Sequence, residues 1–265
     1  MRIVFSAIFF LIILGLPDAS GQRVIQPKLV EVDWKGIIYK KEWSIDIRLH
    51  ENGAAIAYNS GRIRSYRKTN YYHLELGYIK DPREKGQSRI SQTGRSGSFA
   101  YGKINSLINL RFGFGTKHYL SEKEKRKGLA VGYTYEIGPS IALLKPYFLD
   151  LEYVVGDGDN RTTIIRQEKY SEENADVFLN EDFITGHSGF FKGFDEIDIR
   201  AGIQGKIGAH FAMGAFDKYV KAFETGIMFD VFTSNIPILL ETEEISNKPY
   251  FVKLYLNLQL GARSN

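Results

Sequence analysis

Between Trp43 and His50 the apolar residues Ile45, Ile47 and Leu49 alternate with Ser44, Asp46, Arg48 and His50, and this two-residue period returns as far as Leu254, Leu256, Leu258 and Leu260. A period of two is that of a β-strand with one apolar and one polar face. Strands of this kind assemble in two ways. In a soluble sandwich the apolar faces meet in a core, whereas in a membrane barrel they meet lipid and the polar faces line the lumen.

The alternating runs fall at about 41–50, 53–64, 72–78, 103–120, 128–144, 197–207, 223–231 and from 249 to about 261. Asn52-Gly53 between the first two is a strong hairpin signal. Gly138-Pro139-Ser140 interrupts the fifth run. Read as a kink inside one long strand it gives eight strands; read as a hairpin it leads to ten. Eight strands put the long connections 81–98, 156–192 and 233–248 at one end and the short turns near Arg67, Lys125 and Ala215 at the other. Long loops on one side and short turns on the other mark outer-membrane barrels. Runs of ten or more residues also exceed the usual sandwich strand. The expected fold is therefore all-β, a closed antiparallel transmembrane up-and-down barrel over 41–265. Closure is required because lipid offers no hydrogen bonds to a free strand edge.

The N-terminus agrees with an exported chain. Met1-Arg2 precedes the apolar run 3–16 and the small residues Ala19 and Gly21, which reads as a signal peptide over 1–21. Residues 22–40 show no sustained alternation and read as a periplasmic lead-in. The expected address is the outer membrane of a Gram-negative bacterium, with both termini periplasmic. The chain has no cysteine, so no disulfide holds it together. Its net charge of +4 comes from Lys and Arg interleaved with acids, which gives nucleic-acid binding no support.

Alternation turns a balanced set of charges inward: Asp46, Glu75, Glu136, Asp198, Glu224 and Asp230 against Arg48, Arg111, Arg200, Lys206 and Lys253. An eight-strand barrel is just wide enough for side chains to fill, and charges confined there must pair. The expectation is a salt-bridged plug. Five histidines raise the question of catalysis. His50, His73 and His118 are read as inward, His210 as near a turn and His187 as lying in the long loop. No nucleophile-elbow or HExxH pattern accompanies them, so the chain is read as non-enzymatic with no cofactor and no metal, a membrane-embedded hydrolase being the less favoured alternative. Asp157-Gly158-Asp159-Asn160 lacks the later glutamate of a calcium loop and reads as a solvated acidic turn. The stretches 81–98 and 156–192 are read as irregular loops. Phe183, Phe190, Phe191 and Phe194 lie in or beside the second as candidate partner-contact residues; Phe190, Phe191 and Phe194 are expected to be buried beneath the loop, an exposed binding patch being the alternative.

The runs Tyr101-Gly102-Lys103-Ile104-Asn105, Gly138-Pro139-Ser140 and Lys145-Pro146-Tyr147, set in this strand pattern, resemble small outer-membrane β-barrel proteins of the Bacteroidota type. The resemblance spans most of the chain after residue 21. Ser264-Asn265 departs from the terminal aromatic residue common in such barrels. It implies a structural or accessory subunit of an assembly, secretion or uptake complex, with lipid and other outer-membrane or periplasmic proteins as partners. A narrow channel or small-molecule-binding barrel is the alternative.

Overall fold

The computed structural model describes residues 39–90, 96–120, 129–156, 161–213, 217–243 and 245–265. The expected signal peptide, the lead-in as far as residue 38, the turns around Lys125 and Ala215 and the acidic tetrad 157–160 lie outside the described residues.

In chain order the strands are β1 (Lys41–His50), β2 (Gly53–Ser65), β3 (Lys68–Ile79), β4 (Gly86–Ile90), β5 (Ser96–Ala100), β6 (Asn105–Tyr119) and β7 (Leu129–Pro146). They continue with β8 (Phe148–Val155), β9 (Thr162–Lys169), β10 (Ile184–His187), β11 (Asp198–Met213), β12 (Tyr219–Phe232) and β13 (Tyr250–Ser264). Eight of them close a barrel in the order β1-β13-β12-β11-β7-β6-β3-β2, every neighbour antiparallel. The first and last strands seal it, with Lys41 opposite Ser264 and His50 opposite Tyr255.

The Gly138-Pro139-Ser140 interruption lies inside β7. Arg111 faces Ser140 and Phe114 faces Ile137, so the β6–β7 register is the same on both sides of the proline. Pro139 has no N–H to give the ladder, which therefore skips a rung without turning the strand. Ten strands are ruled out by this continuity. β7 ends at Pro146, two residues past the alternating run, and β8 leaves the barrel to pair with β9 and β10.

Along β1 the burial alternates without a break, exposed Ile45, Ile47 and Leu49 against buried Ser44, Asp46 and Arg48. The same inversion runs round the barrel, with Leu74, Leu76, Ile137, Ile203, Ile227, Leu256 and Leu258 outward. The described barrel thus carries its large apolar side chains outside and its charged ones inside, the reverse of an ordinary hydrophobic core.

Apolar side chains close the interior at each end. Toward the short turns Tyr119, Ala130, Ala212 and Ala222 pack together. Toward the long loops Ile236, Ile238 and Leu239 fold in from the β12–β13 connection and pack on Ile79, Leu107, Ala142, Leu144 and Phe232. The two stretches expected to be irregular loops carry structure of their own. β4 and β5 form a hairpin, and β10-β8-β9 form a three-stranded sheet, so 81–98 and 156–192 are built rather than merely solvated. Their shared core is Phe99, Leu149, Leu151, Phe178 and Ile184. β5 crosses β10 so closely that a Cβ on Gly97 would stand 2.5 Å from the Thr185 carbonyl oxygen and 2.8 Å from the Gly186 Cα. Only glycine allows that approach.

Candidate functional site

Six carboxylates and six cations are buried inside the described barrel strands: Glu42, Asp46, Glu75, Glu136, Glu224 and Asp230, with Arg48, Arg111, Lys117, Lys206, Lys253 and Arg263. Alternation places each on an inward position, and the network falls into three connected layers.

Nearest the long loops, Arg111 donates through Nε and Nη2 to Asp230 at 2.7 and 2.6 Å, and Lys253 Nζ reaches the same carboxylate at 3.2 Å. Asn109 Nδ2 adds a further bond to Asp230 at 3.1 Å. Arg111 also pairs with Glu75, which pairs in turn with Arg48, whose guanidinium lies 5.1 Å from the centre of the Tyr255 ring. In the middle layer Lys206 Nζ stands 3.0 Å from Glu136 and 3.8 Å from Glu224. Gln204 donates to Glu136 at 3.0 Å, and Tyr255 donates its hydroxyl to Glu224 at 2.7 Å. Near the short turns Lys117 Nζ bonds Glu42 and Gln259 at 2.8 and 2.7 Å, and Arg263 Nε bonds Glu42 at 2.8 Å. Asn257 and Gln259 donate to Asp46 at 2.6 and 3.0 Å.

Two of the residues assigned to the lumen from sequence do not reach it. Asp198 and Arg200 pair with one another at 2.6 Å on the rim, Asp198 exposed and Arg200 half-buried, where β11 runs ahead of its pairing with β12, which begins at Gly202. Three lumen charges escaped the sequence reading: Glu42, Lys117 and Arg263 sit at strand ends. Their parity with Asp46, Arg111 and Lys253 was the available signal. Two histidines also move. His118 has the outward parity of β6 and stacks on Tyr133 with centroids 5.2 Å apart. His210 is inside the barrel, its Nδ1 3.3 Å from Glu224 and its ring edge-on to Tyr119.

A chain of polar contacts links Ser44, Asn59, His73 and Glu75, with Asn59 Nδ2 to Ser44 Oγ at 3.1 Å and His73 Nδ1 to Asn59 Oδ1 at 2.6 Å. All four side chains are enclosed, so the arrangement cross-links strands and presents no nucleophile to a substrate. Among the described residues no group of three His, Cys, Asp or Glu side chains is placed to hold a metal ion.

The loop end is the other chemically distinctive surface. Phe190, Phe191 and Phe194 pack on one another with ring centroids 5.5 to 6.3 Å apart, and all three are exposed, Phe191 to 84%. The structure thus overturns the expectation of burial for these three. Phe183 stands apart from them, half-buried at the end of a helical turn (Glu181–Phe183). The unit that carries the cluster is fastened to its neighbours: Tyr101 donates to the Leu179 carbonyl at 2.8 Å, the Ala100 N–H to Tyr147 at 3.1 Å, and Arg83 to the Ser246 carbonyl at 3.2 Å. Asp81, which bonds Arg83 through three contacts of 2.9 Å, has its carboxyl lowered from the ordinary value; burial opposes the shift and the Arg83 bonds outweigh it. Lys103 is raised, since its 2.8 Å bond to Glu84 outweighs the cost of burying its charge.

Compared with protein-family models, curated proteins and solved structures, the chain matches none of them.

Proposed function

We propose that the protein is an integral outer-membrane β-barrel without enzymatic activity, serving as a structural or accessory subunit of an assembly, secretion or uptake complex. Its termini and short turns face the periplasm and the loop unit faces outward. The observation that carries this reading is the polarity of the closed barrel: an apolar wall outside and a buried interior of paired charges. A barrel inverted in this way suits lipid, and one filled in this way leaves only its wall and loops to act. The alternative of a narrow channel is disfavoured by the apolar lid of Ile236, Ile238 and Leu239 above the ion pairs.

Within this reading the exposed Phe190, Phe191 and Phe194 cluster is the partner contact. Three exposed aromatic rings on a braced unit are the kind of anchor that dominates interface energetics. The test is purification from the native membrane in mild detergent, comparing wild type with a Phe190→Ser/Phe191→Ser variant. The reading expects a protein partner retained by wild type and reduced more than about tenfold in the variant, with heat-modifiable migration unchanged. A wild-type protein that leaves the membrane with no partner, or a variant that keeps its partner at full yield, contradicts it.

A further inference from the structure

A cavity of about 310 Å³ opens where the tops of β3, β6 and β7 meet the loop unit, lined by Lys80, Lys103, Lys145, Tyr78, Tyr147 and Phe190 among others. It lies on the outside of the barrel. Tyr78, Lys80, Ser106 and Lys145 all have outward parity, and Ser106 is opposite Lys145 in the β6–β7 ladder. Climbing the wall in two-residue steps of about 7 Å, the β3 side chains change from Leu74 and Leu76 to Tyr78 and then Lys80. Apolar, then aromatic, then cationic is the order of a membrane interface.

The three lysines face one carboxylate. Glu84 is engaged with Lys103, which also lies 3.2 Å from the Tyr78 hydroxyl. Lys145 is different. It is only 3% exposed, yet among the described residues no carboxylate pairs with it. Its Nζ bonds only the Lys192 carbonyl, at 2.9 Å, and stands 5.5 and 5.6 Å from the Phe190 and Phe194 ring centres. Among the described residues no second hydrogen-bond acceptor meets this ammonium group, which lines the cavity. Nearer the short turns, and displaced toward β2, an apolar groove of about 450 Å³ is lined by Ile56, Leu74, Leu76 and Leu110.

We infer that this cavity seats the phosphate of an anionic membrane lipid, with Lys145 and Lys80 on the phosphate and the acyl chains along that groove. Lysine ammonium groups suit a phosphate as point charges, and a headgroup pocket that shares β3 and β6 with an apolar groove nearer the short turns fits an amphiphile better than a free ion. The inference rests on the membrane reading above and deepens it.

The experiment is native mass spectrometry of the full chain in detergent, titrated with phosphatidylglycerol or phosphatidylcholine, with and without inorganic phosphate. Wild type is expected to retain phosphatidylglycerol at least about tenfold more tightly than phosphatidylcholine, the scale of one charged hydrogen bond. Lys145→Gln should abolish most of that preference and Lys145→Arg should keep it. Glu84→Gln, which removes the one negative charge, should strengthen it. Lys221→Gln, on the outward face near the short turns, should change nothing. Equal retention of the two lipids, a Lys145→Gln variant that still discriminates, or displacement of the lipid by millimolar phosphate would each overturn the lipid site. A variant counts only if its heat-modifiable migration matches wild type. If wild type stays in solution without detergent, the membrane reading itself has failed, a result distinct from a barrel that inserts and does not discriminate.

Discussion

Replacing Glu75 by Gln removes one charge from the centre of the lumen at almost no change of volume. Among the described residues Glu75 is the carboxylate paired with Arg48, and it shares Arg111 with Asp230. In the variant six cations face five carboxylates. Arg111 keeps both its bonds to Asp230, but Arg48, 1% exposed, loses its direct carboxylate partner among the described residues and keeps the Tyr255 ring. Stripping a buried ion of its partner costs about 3–5 kcal/mol, or between about two and four powers of ten in the folding constant. Lys253→Met should cost less, since Asp230 would still hold Arg111. The double variant Arg48→Met/Glu75→Met removes both charges together and should recover most of the loss. Urea titration of the barrel folded into phospholipid vesicles, read by heat-modifiable gel migration, measures all three. A Glu75→Gln variant within about 0.5 kcal/mol of wild type, or a double variant no better than the single, would refute the claim that the lumen is held by paired charge.

Planar-bilayer recordings should show no stable current from wild type, because the Ile236, Ile238 and Leu239 lid and the ion pairs fill the bore; steady single-channel openings would count against a sealed lumen. Asp81 should titrate below a free carboxylate by NMR. Because its folded value is depressed, the stability it lends the Arg83–Ser246 link is complete above the unfolded value of about 3.9 and fades as the pH falls through the folded one. An Asp81 that titrates at or above the free value would reject this. Gly97→Val should drive β5 off β10, at a cost of about 1–3 kcal/mol, and expose the loop unit to protease while the barrel stays heat-modifiable. Unchanged proteolysis would show that the close crossing is not needed.

The barrel was legible because alternation is a two-valued signal repeated over many residues, and one slipped residue would turn Ile45 inward and Asp46 outward. The same parity reached Glu42, Lys117 and Arg263, which were passed over only because they lie near strand ends. What alternation does not encode is what covers a strand. Asp198 and Arg200 have the right residue types yet stand on the rim, while Lys145 has outward parity and is buried by the loop unit. The β4–β5 hairpin and the β8–β10 sheet escaped because their strands are short and their shared core draws single residues from distant segments, Phe99 beside Leu149, Phe178 and Ile184. The lid had a signal that went unused: Ile236-Pro237-Ile238-Leu239-Leu240 is an apolar run inside a connection otherwise polar.

Because the chain contains no cysteine, single cysteines can be introduced and spin-labelled without background, which gives the membrane wall its most direct test. Labels at Ile45, Ile47 and Leu256 in vesicle-reconstituted protein should collide freely with oxygen and hardly at all with a water-soluble nickel chelate, whereas a label at exposed Glu172 in the loop unit should do the reverse. Wall positions as open to the nickel chelate as Glu172 would contradict the account, since the apolar face would then be turned to water and not to lipid.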